Sequence, residues 1–193
     1  MSAFEVVAAY SRFLSGLRIV HVVGGSLASS AWGEQRATND ADFLLHLTGG
    51  QVDAFLERIP SGFFVQGSEV RAAAVSAEPF ASFQALYEPT SFKIDNFVAN
   101  DDWQRSKLAR ARLLEIQEGR TIPFASAEDM IVAKCRWFEL GNRVSDRQWN
   151  DLVRLYEVQY ELLDRAYIEK WLAWFGLMDL WADIQRQSKL SEG

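Results

Sequence analysis

The sequence predicts a mixed α/β fold of the α+β class: a short mixed sheet flanked by helices, with a C-terminal helical bundle. Two observations lead there. Between residues 4 and 58, helical spacing alternates with short β-branched runs, and that order implies a sheet covered by helices. From Ser126 onward the apolar residues fall at helical spacing only. The expected division is therefore an α/β core over 1–123 and a helical part over 124–193 packed on it. The 193 residues suit this, because at about 150 residues per domain they make one domain or one with a small appendage.

Each element follows from local chemistry. Apolar residues at Phe4, Val7, Ala8, Phe13 and Leu14 give an approximate helical repeat, which Gly16 stops. Residues 17–23 are rich in β-branched side chains and run into Gly24-Gly25, the pattern of a buried strand. A short helix over 26–32 carries Leu27, Ala28, Ala31 and Trp32 and ends at Gly33. A second strand over 40–47 ends at Thr48-Gly49-Gly50, and a helix over 51–58 follows. Residues 63–77 show no clear pattern. Strands over 83–87 and 92–98 flank Glu88-Pro89-Thr90-Ser91, and strands over 112–116 and 121–124 flank Glu118-Gly119-Arg120, so both pairs read as hairpins. Ser126 then stands as an N-cap before Glu128 and Asp129, the expected start of a helix that continues through Phe138. Three more helices fall at about 146–159, 164–176 and 178–187.

Composition excludes several classes. With 49% hydrophobic and 24% charged residues the chain is neither disordered, collagen-like nor a disulfide scaffold. No apolar run reaches the roughly 18 residues of a membrane span. Met1-Ser2-Ala3-Phe4-Glu5 lacks a basic leader before an apolar stretch, so no signal peptide is expected. The single Cys135 cannot form an internal disulfide, which suits a reducing cytoplasm. A net charge of −6 opposes a broad nucleic-acid platform but leaves room for a small anionic ligand at one local site.

The most informative stretch is Gly24-Gly25-Ser26, followed after thirteen residues by Asp40-Ala41-Asp42. Glycines after a strand let a ligand approach the backbone, and the helix opening at Ser26 offers unpaired N–H groups and a positive dipole end. That is a seat for phosphate. Asp40 and Asp42, at i and i+2 of a strand, share one face. Such a pair repels itself unless a cation lies between, and oxygen-only ligands suit Mg²⁺ or Mn²⁺. A divalent cation beside a phosphate seat points to metal-assisted phosphoryl or nucleotidyl chemistry.

Gly25, Ser26, Asp40 and Asp42 resemble the motif of the nucleotidyltransferase superfamily of the polymerase β type. In it, a Gly-Gly or Gly-Ser turn at a helix start precedes an Asp-x-Asp on the next strand. Arg36 and Thr38, leading into the acids, resemble its small bacterial members. The third carboxylate of that family is best matched by Asp95, in the middle of an apolar strand. Asp129 and Lys134 have the spacing of the AbiEii-like branch, which includes toxins of toxin–antitoxin and abortive-infection systems. The segment 144–152, with Asp151, resembles an Arg/Gln-rich helix of related bacterial proteins.

The resemblance implies transfer of a nucleoside monophosphate from an NTP to an acceptor hydroxyl, on RNA, protein or a small molecule, with release of pyrophosphate. Asp40, Asp42 and Asp95 would hold two Mg²⁺ or Mn²⁺ ions, and Asp95 would act as general base. Gly24, Gly25 and Ser26 would seat the phosphates with Lys134, and Asp129 and Asp151 would support the site. A cognate antitoxin is the implied partner. The basic motif usual in the toxin branch between Asp42 and Asp95 is absent; Lys93, on the same strand face as Asp95, could substitute. Two rival readings are a non-catalytic partner of this fold (antitoxin or scaffold) and a nucleotide-binding sensor.

Other residues carry less. His21 and His46 lack a cysteine or a helical histidine partner, so zinc is not expected. Cys135 reads as a buried helix residue despite its basic neighbours. The basic run Arg105, Lys107, Arg110 and Arg112 reads as a solvated face. Trp137, Trp149, Trp171, Trp174 and Trp181 read as packing between the C-terminal helices.

Overall fold

A computed structural model describes residues 1–33, 38–117 and 119–188. The chain forms two compact units: Met1–Leu27 with Ala37–Ala125, and Ala28–Arg36 with Ser126–Gly193. Among the described residues the first unit holds strands β1 (His21–Val23), β2 (Asp40–Leu45), β3 (Phe63–Val65), β4 (Ser82–Tyr87), β5 (Phe92–Val98), β6 (Arg112–Gln117) and β7 (Arg120–Phe124). They make one mixed sheet in the order β3-β4-β5-β2-β1-β7-β6. β2 runs parallel to β5 and antiparallel to β1, while β1 runs parallel to β7. Its helices are α1 (Ala3–Gly16), the start of α2 (Gly25–Trp32), α3 (Val52–Arg58), α4 (Gly67–Val75) and α5 (Asp102–Ala109).

Alternation along the strands sorts their side chains. Phe92, Ile94, Asn96 and Val98 of β5 are buried, whereas Lys93, Asp95 and Phe97 occupy the other face. Ala41 and Phe43 of β2 join the buried side, and Asp40 and Asp42 the opposite one. The buried side is an aromatic core: Tyr10 of α1 packs edge-on against Phe43 at 5.3 Å, and Phe55 of α3 against Phe83 at 5.5 Å. α1 is fixed at its start by a capping box, with Ser2 N–H donating to Glu5 at 2.7 Å and Glu5 N–H to Ser2 Oγ at 3.3 Å.

Two expectations change in this unit, and the unassigned segment takes a definite form. The strand expected from residue 17 begins only at His21. Leu17, Arg18 (φ 56°) and Ile19 instead finish α1, with Arg18 N–H on Ser15 O and Ile19 N–H on Leu14 O. The patternless segment 63–77 is β3 followed by α4. The basic run expected to be a solvated face lies partly on α5. Asp101 caps that helix, accepting from Gln104 N at 2.7 Å, and Lys107 there is only 8% exposed. Arg105 of the same helix does face solvent, paired with Asp102 at 2.8 Å.

In the second unit α6 (Ala127–Leu140), α7 (Asp146–Gln159), α8 (Arg165–Trp174) and α9 (Met178–Gln187) form a bundle, with α6 and α9 each packed on α7 and α8. Ser126, Ser145 and Asp164 cap α6, α7 and α8 through their side chains. Ile131, Leu152, Leu155, Ile168, Trp171 and Trp181 are its buried anchors. The tryptophans do not all join them. Trp137 and Trp174 are 46% and 68% exposed. Trp174 ends α8 and lies edge-on to Trp171 at 6.1 Å instead of entering the core. Cys135 is buried as expected, and burial pushes its thiol up to about 12, which leaves it unreactive.

Candidate active site

Strand pairing assembles the acidic face. Asp42 stands directly opposite Asp95 and Asp40 opposite Lys93 in the parallel β2/β5 ladder, all four on one side of the sheet. On the next strand Gln84 stands opposite Asp95 and donates from Nε2 to Asp95 Oδ1 at 2.9 Å. Thr38 donates from Oγ1 to Asp40 Oδ1 at 2.5 Å. Lys93 is exposed beside them.

The glycine turn is built around Asp42. Gly24 N–H donates to Asp42 O at 2.8 Å, tying the end of β1 to β2. Gly25 has φ +55°, and a Cβ there would overlap the Asp42 carboxylate. The sequence assigned that space to an approaching ligand; here the Asp42 side chain fills it. Gly25 also opens α2, one residue ahead of the expected start, and leaves Ser26 half-buried in the first turn.

Asp42 is raised to about 6, first by burial and then by the charges of Asp95 and Asp40, with Lys107 opposing them. The face is therefore short of positive charge. Its donors are all oxygens, and Asp42 and Asp95 sit on adjacent strands about 4.8 Å apart, a set that fits a hard divalent cation. Asp40 and Asp95 are meanwhile held by Thr38 and Gln84. Among the described residues no three His, Cys, Asp or Glu side chains already converge as a metal cage.

The second unit holds the other predicted residues. Lys134 Nζ lies 3.6 Å from Asp151 Oδ2, so Asp151 orients that lysine. Asp129 is fully buried; Ser126 Oγ donates to its Oδ2 at 2.8 Å and Tyr167 Oη to its Oδ1 at 2.6 Å. Both of its oxygens are thus engaged within the bundle. Arg36 lies outside the described residues. In the first unit His21 is buried: its Nδ1 meets Ile19 O at 2.9 Å and its Nε2 meets Ser11 Oγ at 2.7 Å. The carbonyl can only accept, so Nδ1 carries the proton; burial favours the neutral ring, in which Nε2 accepts from the Ser11 hydroxyl. His46 is exposed.

Sequence reasoning missed Gln84 and the burial of Lys107. The alternation of Phe83, Ala85 and Tyr87 would have placed Gln84 on the Asp95 face once the hairpin register was known.

The fold is that of nucleotidyltransferases. An antigenic nucleotidyltransferase-like protein from Paracoccidioides brasiliensis superposes with a TM-score of 0.58 at 16% identity, over 96% of this chain and 93% of that one. The antibiotic-resistance factor ANT(2'')-Ia in solution gives 0.53 at 17% identity, over 96% and 97%. Its crystal structure in complex with adenylyl-2''-tobramycin gives 0.52 at 18%, over 90% and 97%. No family model and no curated protein matches the sequence.

Proposed function

We propose that this chain is a nucleotidyltransferase that moves a nucleoside monophosphate from an NTP to an acceptor hydroxyl. The observation that carries this reading is the Asp42–Asp95 register, with Asp40 on the same face and the Gly24–Gly25 turn closed on Asp42, in a chain of this fold. In the reaction the acceptor oxygen bonds to the α-phosphorus, the bond from that phosphorus to the β-phosphate bridge breaks, and pyrophosphate leaves.

Asp40, Asp42 and Asp95 would hold Mg²⁺ or Mn²⁺, two ions in the full reading. Bound there, such ions supply charge neutralisation at the attacking and leaving oxygens. Asp95 takes the proton of the acceptor hydroxyl. Gln84 holds its Oδ1, so Oδ2 is the oxygen presented for that proton. Gly24 and Ser26 are assigned to the triphosphate at a helix start whose dipole favours anions, with Gly25 keeping room for the Asp42 carboxylate beside them. Thr38 aims Asp40, and Lys93 brings a cation to the edge of the face. Lys134, oriented by Asp151, is assigned to the triphosphate, with Asp129 anchoring the first turn of its helix and Arg36 assisting in front of the acids.

The acceptor can be RNA, protein or a small molecule. The likeness to ANT(2'')-Ia, solved with an adenylylated small molecule, favours ATP and a small-molecule hydroxyl. A toxin–antitoxin or abortive-infection setting, with an antitoxin partner in the cytoplasm, rests on the Asp129 to Lys134 spacing alone.

Calorimetry tests the reading. NTP binding is expected only with Mg²⁺ present, and a folded Asp40→Asn/Asp42→Asn variant should lose that dependence. Equal NTP affinity with and without Mg²⁺ in the parent contradicts the assignment.

A further inference from the structure

The acidic face continues across the sheet beyond its carboxylates. Lys93 of β5 stands opposite Asp40 of β2 on one side and opposite Leu86 of β4 on the other, and Leu86 stands opposite Phe64 of β3. Residues directly opposite in a ladder share a face, so Phe64, Leu86, Lys93 and Asp40 make one row over four strands. The neighbouring row holds Gln84, Asp95 and Asp42. The first row is open to solvent: Phe64 on the edge strand is 56% exposed, Lys93 is exposed and Leu86 is half-buried. Phe63 beside it turns the other way, into the core, against Tyr87 at 4.9 Å. Among the described residues Lys93 makes no ion pair, and Asp40 opposite it is held by Thr38.

The two flanks of the carboxylates differ in chemistry. On the β1 flank lie Gly24 and Ser26 at the start of α2, assigned above to the triphosphate. On the β4 flank lie Gln84, Leu86 and then Phe64. Displacement at the α-phosphorus runs in line, so the acceptor oxygen arrives opposite the departing pyrophosphate. With pyrophosphate leaving toward β1, the acceptor lies over β5, β4 and β3. Its oxygen bonds to the α-phosphorus, its proton passes to Asp95, and the pyrophosphate leaves with the electron pair of the broken bond. Lys93, two residues from Asp95 on the same strand face, stands roughly 7 Å away along the strand. The two divalent ions of the full reading more than offset the three carboxylates, so the Lys93 ammonium sets the charge preference at this end. An anionic group suits it, and a second ammonium is repelled. A ring or alkyl body suits the exposed Phe64 and the half-buried Leu86.

We infer that the β5–β4–β3 flank is the acceptor subsite and that it selects an alcohol carrying an anionic group and an apolar body. Lys93 and Phe64 are its specificity-determining residues. The acceptor role rests on the proposed transfer reaction; the preference for an anion is read separately, by binding.

The binding arm titrates the full chain in Mg²⁺, without NTP, and follows NMR shifts. The probes are three alcohols of one shape: para-hydroxymethylbenzoate, para-hydroxymethylbenzamide and para-aminomethylbenzyl alcohol. The benzoate should bind about fivefold more tightly than the benzamide, and the amine should bind weakest. Lys93→Gln should abolish that order, and Lys93→Glu should turn it toward the amine. Phe64→Ser should weaken all three alike, by about fivefold. An amine-first order in the parent, or an order that Lys93→Glu leaves unchanged, overturns the inference. If Lys93→Gln weakens NTP binding as much as benzoate binding, the lysine serves the triphosphate and the inference falls. A parent dimer that Phe64→Ser dissociates also overturns it, because a second copy then covers the ring. The transfer arm measures pyrophosphate release from MgATP with the same alcohols, and kcat/KM should follow the binding order; the opposite order overturns the acceptor assignment. Release with no alcohol, RNA or protein acceptor contradicts the proposed reaction instead, and the binding order still decides the anion preference.

Discussion

Two adjacent glycines do different work at the end of β1. Gly25 sits at positive φ and its Cβ would meet the Asp42 carboxylate, whereas a Gly24 Cβ would meet nothing nearer than Lys107 Nζ at 3.4 Å. A non-glycine residue in the left-handed region costs about 1–2 kcal/mol before any clash is counted. Gly25→Ala should therefore lower the urea midpoint clearly and weaken Mg²⁺-dependent NTP binding, while Gly24→Ala should cost less. The reverse order of stabilities contradicts the account of this turn. His21 makes a second prediction at this scale. Burial lowers its folded pKa below the usual 6.5, with the Ile19 carbonyl opposing the shift. The unfolded chain then binds the extra proton more readily than the folded one. Stability is full above about pH 6.5 and falls as pH drops toward the folded value. Between about pH 7.5 and 5.5 the parent should lose more stability than His21→Gln; equal losses would show that His21 does not titrate against burial.

The elements show what could be read locally and what could not. The Gly24–Gly25 turn, Asp40, Asp42 and Asp95 were legible because a glycine pair, a same-face carboxylate pair and an acid inside an apolar strand are local signals. α5 was not, because its buried residues include Gln104 and Lys107, and no apolar repeat marks a helix that buries polar groups. β3, three residues long, is too short to show a period. Gln84 and Lys107 reach the acidic face only through strand pairing and helix packing, which one sequence does not display. In the bundle, Ser126 signalled the start of α6, but the second anchor of Asp129 comes from Tyr167 on α8. Tyr167→Phe leaves that buried carboxylate short of a donor and should cost about 1–3 kcal/mol in urea unfolding. No loss would show that the 2.6 Å contact contributes nothing.

For the whole molecule, a net charge of −6 argues against grip on a long nucleic-acid backbone and places recognition at local sites. The fold supplies the frame, and the β2/β5 ladder brings the three carboxylates together. The activity proposed for this ladder is transfer of a nucleoside monophosphate. The direct measurement follows NTP labelled on the α-phosphate, and in parallel on the γ-phosphate, in the presence of Mg²⁺ with a panel of small-molecule alcohols, total RNA and total protein. The α-label should enter an acceptor, the γ-label should leave in pyrophosphate, and Asp95→Asn should slow both by about 10² to 10⁴ while still binding NTP. Transfer of the γ-label to an acceptor, release of inorganic phosphate in place of pyrophosphate, or an Asp95→Asn variant working at the parental rate would contradict it.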